Sequence, residues 1–229
     1  MRTALTVLDM MIGVGAVVAM LAIGNGARAS VNQVISSLGS NMLMVISGAA
    51  TTGGLRVSTG ATPTLHLTDA NAIGELPGIA AVAPASPQVS QVVYAANNWS
   101  TPVLGTSAEY LQIRDWPLVR GSNFSPGDMR SAPRVAILGQ TVAQNLFGDA
   151  NPVGQIIRIS RSPYQVIGLL AAKGQSFGGQ DQDDTVVIPY TTAQRKLFGA
   201  QFGDTVRAIM VQTTGPELLG PAQDEIDAL

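Results

Sequence analysis

Cysteine is absent from the 229 residues, so neither a disulfide framework nor a thiolate metal site can form. That absence does not locate the protein, because an oxidising compartment permits disulfides without requiring them. Charge is sparse as well: only 12 % of residues are charged, and the net charge is −2. With a pI near 5.3 and no basic stripe, the chain lacks the electrostatic footprint of a nucleic-acid binder. Aromatic residues make up 5 %, and Trp99, Trp116 and Tyr110 are too dispersed for a base-stacking platform; they are read as core or subdomain-interface side chains.

Catalytic inventory is equally thin. Histidine occurs once, as His66 in a strand-like Leu65-His66-Leu67. Without a second histidine it makes a poor metal set, and it reads as a surface or structural residue. A Ser-His-Asp triad has only His66 to build on, and no G-x-S-x-G elbow accompanies it. Asp181, Asp183 and Asp184 cluster in a Gly-rich stretch that lacks the Gly and Glu positions of an EF-hand loop, so a solvated loop is expected rather than a calcium site. No G-x-x-x-x-G-K-[ST] occurs, which excludes a P-loop. Gly13-x-Gly15 and Gly24-x-Gly26 lack the third glycine of a dinucleotide loop. No catalytic, cofactor-binding or metal-binding residue is predicted, and the chain is not expected to be an enzyme.

What the chain has in quantity is apolar surface: 46 % hydrophobic residues and a mean hydropathy of +0.25. Much of it lies in Ala4–Ile23, 20 residues with Asp9 as the one charge. A helix of that length rises ~30 Å and matches the hydrocarbon core of a bilayer. Arg2 ahead of it favours a cytoplasmic N-terminus, and Gly13 and Gly15 suit close packing against another membrane helix. Asp9 lies near the cytoplasmic end, where its insertion cost falls. An alternative is a cleaved signal peptide, with Ala27-Arg28-Ala29 as the processing site and a secreted or periplasmic binding module as the product. Against cleavage, Val31, Val34, Ile35 and Leu38 recur at helical spacing and extend the apolar helix as an amphipathic stalk.

The remainder reads as α+β. Strands are predicted at 42–46, 79–83, 89–94, 102–105, 134–138, 156–160, 165–170, 186–188 and 205–212. Helices are predicted from caps at Thr68, Ser107, Thr141, Thr191 or Thr192, and Pro216. Turns are expected at Asn97-Asn98 and Ser162-Pro163, a mobile loop over 48–64, and loops around Gly121 to Gly127 and over 174–184. The two Leu-Phe-Gly triplets at 146–148 and 197–199 are read as helix ends rather than a repeat. The pattern divides into a membrane helix and stalk (1–40), an α/β part from both flanks (41–95 plus 185–215), an inserted β-rich part (96–184) and a further helix from 216 to 229.

Several strings resemble those of MacB/FtsX-like ABC-transporter permeases. Arg2 to Leu8, Met11 to Val18 and Ile23 to Ala27 are similar to that family's first transmembrane helix, although the family usually has Gly where this chain has Asp9. Ser40 to Leu43, Val103 to Gly105, Tyr110, Gly121 and Phe124 to Asp128 follow in the family's order. So do Val135 to Gly139, Leu146 to Gly148, Pro152 to Gln155, Val166 to Gly168, Lys173-Gly174 and Val187 to Pro189. The resemblance implies a permease with four transmembrane helices and a large extracytoplasmic domain between the first two, in the inner membrane. It implies a cytoplasmic ABC ATPase as separate domain or subunit, a homodimer or paired permease, and mechanotransmission. It also implies a porter-like part, an inserted sabre-like part, and docking to a periplasmic adaptor protein that leads to an outer-membrane duct.

Overall fold

The computed structural model describes Gly15, Met20 and residues 41–47, 51–52, 55–56, 64–176, 178–198 and 204–229. The expected membrane helix and stalk therefore lie almost wholly outside the described residues; Gly15 and Met20 are both helical. Among the described residues no helix is long and apolar enough to cross a membrane. Backbone contacts divide the chain into Met1–Leu38 and Gly39–Leu229, and the architecture below belongs to the second unit.

The strands in chain order are β1 (Met42–Ile46), β2 (Thr51–Thr52), β3 (Leu55–Arg56), β4 (Leu65–His66), β5 (Ile79–Tyr94), β6 (Asn97–Thr106) and β7 (Leu118–Gly121). They continue as β8 (Val135–Leu138), β9 (Ile156–Ile159), β10 (Ser162–Leu170), β11 (Val186–Pro189), β12 (Thr205–Val206) and β13 (Ala208–Thr213). The helices are α1 (Leu67–Gly74), α2 (Glu109–Ile113), α3 (Pro126–Ser131), α4 (Gln140–Phe147), α5 (Tyr190–Ala193, running on as a π-turn over Gln194–Phe198) and α6 (Leu219–Asp227). Strands from the expected flanks and the expected insert share one nine-stranded sheet, ordered β1-β13-β5-β6-β11-β8-β10-β7, with β9 pairing both β10 and β5.

Those last two pairings close a ring. β5, β6, β11, β8, β10 and β9 each pair with the next, and Val92↔Ile159 and Val93↔Arg158 return the circuit to β5. Period-two alternation then sorts the side chains. Val92, Val103, Leu138, Ile157, Ile159, Tyr164, Val166, Val186 and Ile188 point into one cluster, joined by Val142, Leu146 and Phe147 of α4. The opposite faces of β6, β8 and β11 supply Leu104, Ile137 and Val187 to a second cluster with Ile113, Trp116 and Phe124. β11 is buried along its whole length because both faces are covered. A third cluster lies under α1, with Ile73 against Ile209, Val211 and Tyr190.

β5 merges two predicted strands across two prolines. Its antiparallel partner β13 covers Ile79 to Ala85, whereas β6 takes over from Ala85 to Tyr94. Pro84 lies just before pairing with β6 begins, and Pro87 just after pairing with β13 ends. Each proline therefore has one unpartnered flank to receive its missing N–H, so neither breaks a ladder. The predicted turn at Asn97-Asn98 falls two residues earlier, at Ala95-Ala96, with Ala95 at φ +50°. Asn97 instead belongs to β6, and its amide donates to the carbonyl of Leu146 (2.8 Å). The second hairpin turns at Ser160-Arg161, both at positive φ, and Ser162-Pro163 lies in β10.

Helix starts also differ. At α1 the cap is supplied by Asp69, whose carboxylate accepts the N–H of His66 (2.8 Å), rather than by Thr68. At α2 the Ser107 carbonyl accepts from Tyr110 while its hydroxyl stays unpartnered. Thr191 and Thr192 lie inside α5, where the Thr192 hydroxyl donates to the Pro133 carbonyl (2.9 Å). The stretch read as a loop around Gly121 to Gly127 contains β7 and then α3, which Ser125 caps by accepting the N–H of Asp128 (3.2 Å). The 48–64 segment lies mostly outside the described residues; within it Thr51–Thr52 and Leu55–Arg56 pair. The second Leu-Phe-Gly triplet ends the π-turn at Phe198, with Gly199 outside the described residues.

Gly121 shows how tightly β7 is fitted to β10. It sits at φ +83°, and a Cβ there would stand 2.0 Å from the Ile167 carbonyl oxygen. Gly121→Ala is expected to cost about 3 kcal/mol, combining left-handed strain with overpacking against backbone. A fall in the urea midpoint at unchanged slope checks this, and a midpoint equal to wild type would contradict the fit.

Candidate functional site

Among the described residues the chemistry-bearing side chains do not converge. His66 is exposed ahead of α1, in a two-residue pairing with Thr205. Asp69 engages its backbone N–H, so no relay to the imidazole is assembled through that contact. Among the described residues no three His, Cys, Asp or Glu side chains gather to hold a metal ion.

Each acidic residue of the 174–184 loop is committed to a structural bond. Asp183, only 6 % exposed, accepts the N–H groups of Lys173 (2.8 Å) and Gly174 (2.9 Å) on its two oxygens. Asp181 accepts from the Asp183 N–H (2.9 Å) and from the Thr141 hydroxyl at the start of α4 (2.6 Å). Asp184 accepts the indole N–H of Trp99 (2.8 Å). The loop was expected to be solvated; Asp183 is instead a buried staple. Carboxylates that accept backbone N–H groups form charge-assisted bonds, stronger than neutral ones.

The loop is also fastened to the end of α2. Lys173 donates through Nζ to the Arg114 carbonyl and stands 5.6 Å from the centre of the Trp116 ring. Arg114 donates to the Gln182 side-chain oxygen (2.7 Å), and the Trp116 indole donates to the Ala171 carbonyl (2.7 Å). Partial burial, followed by the neighbouring Arg114 charge, lowers the Lys173 pKa, with Asp115 and Asp183 opposing. Gly139 completes the fastening. Its N–H donates to Thr185, and a Cβ would lie 2.1 Å from the Asp183 carbonyl oxygen. Tyr110 and Trp116 are buried in the second cluster, and Trp99 packs on the first.

Two further features are shaped for contact. The first is the meeting of β1 and β13, where the N–H of Thr213 donates to the carbonyl of Asn41 (2.9 Å). The chain thus comes into the sheet and leaves it at neighbouring points. The second is an open cavity of about 760 Å³ between α1, the first half of β5 and the start of α2, lined by Ala70, Gly74, Val82, Ser107 and Met129 among others. Sequence reasoning missed it, because the cavity depends on where β6 stops pairing with β5.

Tyr190 borders this cavity, donates to the Thr205 carbonyl (3.2 Å), and has its pKa pushed up to about 12 by burial and then by Asp204. Burial also raises Tyr110 and Tyr164.

The fold is similar to that of two solved transporter ectodomains. It matches the periplasmic region of MacB from Actinobacillus actinomycetemcomitans with a TM-score of 0.70 at 21 % identity, over 84 % of this chain and 83 % of that one. It also matches the extracellular domain of the noncanonic ABC-type transporter YknZ from Gram-positive bacteria with a TM-score of 0.63 at 18 % identity, over 80 % and 88 %. In sequence the chain is 43 % identical over 215 residues, 93 % of its length and 32 % of the relative's, to the macrolide export ATP-binding/permease protein MacB of Rhodospirillum rubrum. The MacB of Chlorobaculum tepidum is 40 % identical over 231 residues, covering 100 % of this chain and 35 % of that protein. The model of the MacB-like periplasmic core domain matches residues 3–229, and the chain belongs to that family. It spans about a third of the length of the curated relatives it matches.

Two outcomes test this account. Asp183→Asn replaces one acceptor by an amide donor facing a backbone N–H, so it should cost about 2 kcal/mol and open 172–184 to protease while the sheet persists. Limited proteolysis with mass mapping reads both. For the tyrosines, a raised phenol pKa favours folding below the ordinary value of 10.0, and that contribution disappears as pH climbs through about 12. Stability should therefore decline above pH 10, and tyrosinate absorbance of folded protein should lag that of denatured protein. Tyr190→Phe should shrink the decline.

Proposed function

We propose that the chain is the first membrane helix and the extracytoplasmic core of an ABC-transporter permease in the inner membrane. There it couples ATP hydrolysis in a separate cytoplasmic domain or subunit to movement outside the membrane, for export or mechanotransmission. The observation that carries this is the span of the family match, which starts at residue 3 and so takes in the apolar segment as well as the sheet. The matched relatives are named as ATP-binding/permease proteins. The adjacency of Asn41 and Thr213 suits a domain that receives motion through two neighbouring connections, one from the stalk and one to the helix over 216–229.

Residues 41–95 with 185–215 form the porter-like part, in which Ala70, Ile73, Tyr190, Val206, Ile209 and Val211 share a core cluster. Residues 96–184 form the sabre-like part and contribute most of the ring's interior. Two such permease chains pair, and the extracytoplasmic part meets a periplasmic adaptor leading to an outer-membrane duct.

Expression with the native N-terminus, fractionation and intact mass test the anchored form. The expected result is full-length chain in the inner-membrane fraction, cleavable only from the periplasmic side. A soluble product beginning at Ser30 would overturn it in favour of a secreted binding module.

A further inference from the structure

The cavity beside α1 exists because β5 is paired on only one flank there. From Ile79 to Pro84 the strand has β13 on one side; on the other, β6 begins at Ala85↔Thr106 and the chain turns away at Ser107 into α2. No described strand continues the β6 position beyond that point. The two-residue turn makes Tyr94 and Asn97 the closing hydrogen-bonded pair, so every second residue back from Tyr94 directs its N–H and C=O toward the β6 side. Counted back, Val82 directs its own into the slot; beyond it a bulge opposite Gln212 and Thr213 interrupts the alternation, and the Gly78 carbonyl turns back to the N–H of Thr214. Pro84 also faces the slot, where its missing N–H breaks no pair.

The walls fit an added strand. Six residues of free edge extend ~20 Å, a usual strand length. Ala70, Gly74, Ala80 and Ala81 are small and leave room for incoming side chains. Two hydroxyls at the slot, Ser107 Oγ and Thr191 Oγ1, are buried and have no hydrogen-bond partner. The charged side chains lining it are Glu75 on one wall and Glu109 on the other, both exposed and both acidic.

We propose that this slot accepts an extended basic peptide segment of a partner protein, which adds to the sheet as a strand beside Ile79–Pro84. Backbone pairing with Val82 and the Pro84 carbonyl supplies the affinity. On the α1 face the segment's apolar side chains fill the space over Ala70 and Met129, and on the opposite face its Lys or Arg side chains meet Glu109. This goes beyond the transport reading, since the slot belongs to the folded domain whether or not the chain is anchored.

The probe is the acetylated, amidated hexapeptide Lys-Val-Lys-Val-Lys-Val, titrated against the full chain with amide hydrogen exchange read at Val82. The expected results are slowed exchange at this amide and affinity at least tenfold above that for the Glu-Val repeat. N-methylation of the peptide's pairing amides should abolish binding. Glu109→Gln should remove the preference for the basic peptide. Val82→Pro deletes a slot donor without deleting a bond to β13 and should end binding with the fold intact; Asn71→Trp, from the exposed wall of α1, obstructs the slot independently. Equal binding of the N-methylated peptide would reduce the effect to charge alone and overturn the proposal. So would full protection of Val82 in the free chain, which would mean that its own residues already occupy the slot.

Discussion

One strand holds the domain together. β5 pairs with β13 along its first half and with β6 along its second, and near its end with β9 as well. The β1–β13 side and the closed ring are joined in the sheet through the same 16 residues. Handing over from one partner to the next requires a stretch in which each flank in turn is free, and Pro84 and Pro87 occupy it. The three core clusters follow from that arrangement: one inside the ring, one outside it under α2, and one beneath α1.

The polar groups of the loop after β10 serve geometry. Asp183 holds the turn after β10 with both oxygens, Asp181 ties that loop to α4, and Asp184 ties it to Trp99. Lys173 and Trp116 bind the same loop to the end of α2 from the other side. Strings such as Lys173-Gly174 and Val135 to Gly139 are accordingly places where backbone meets backbone, with Gly139 lying against the Asp183 carbonyl.

Much of the fold was legible where one physical rule dominates. Val186 to Ile188 read as a strand, and α4 was read from Thr141 to Phe147 with Gly148 at its end, whereas Met42 to Ile46, read as a buried strand, leaves Met44 and Ile46 exposed. The errors fall where tertiary contacts override local chemistry. Two prolines divided β5 in the sequence reading, yet long-range partners on alternate flanks accommodate both. Asn97 looked like a turn residue, but its amide reaches Leu146, distant in sequence, and the turn passes to Ala95. Thr68 is a good cap by type, yet Asp69 does the capping, since the strand pairing of His66 fixes where α1 begins. The acidic cluster was read as a solvated loop, and its burial was not legible, because only the fold brings Lys173 and Gly174 onto Asp183. The cavity was illegible altogether, being defined by a partner strand that ends.

The closeness of Asn41 and Thr213 sets the mechanical character of the module. β1 and β13 run antiparallel, and the chain reaches both from the same end. A pull that separates the two connections would load the ladder one rung at a time, beginning at Met42↔Gln212, in the manner of a zipper. A push or tilt shared by both connections loads no rung in particular and carries the whole sheet with it. The domain is thus stiff toward common motion of the two connections and weak toward their splaying.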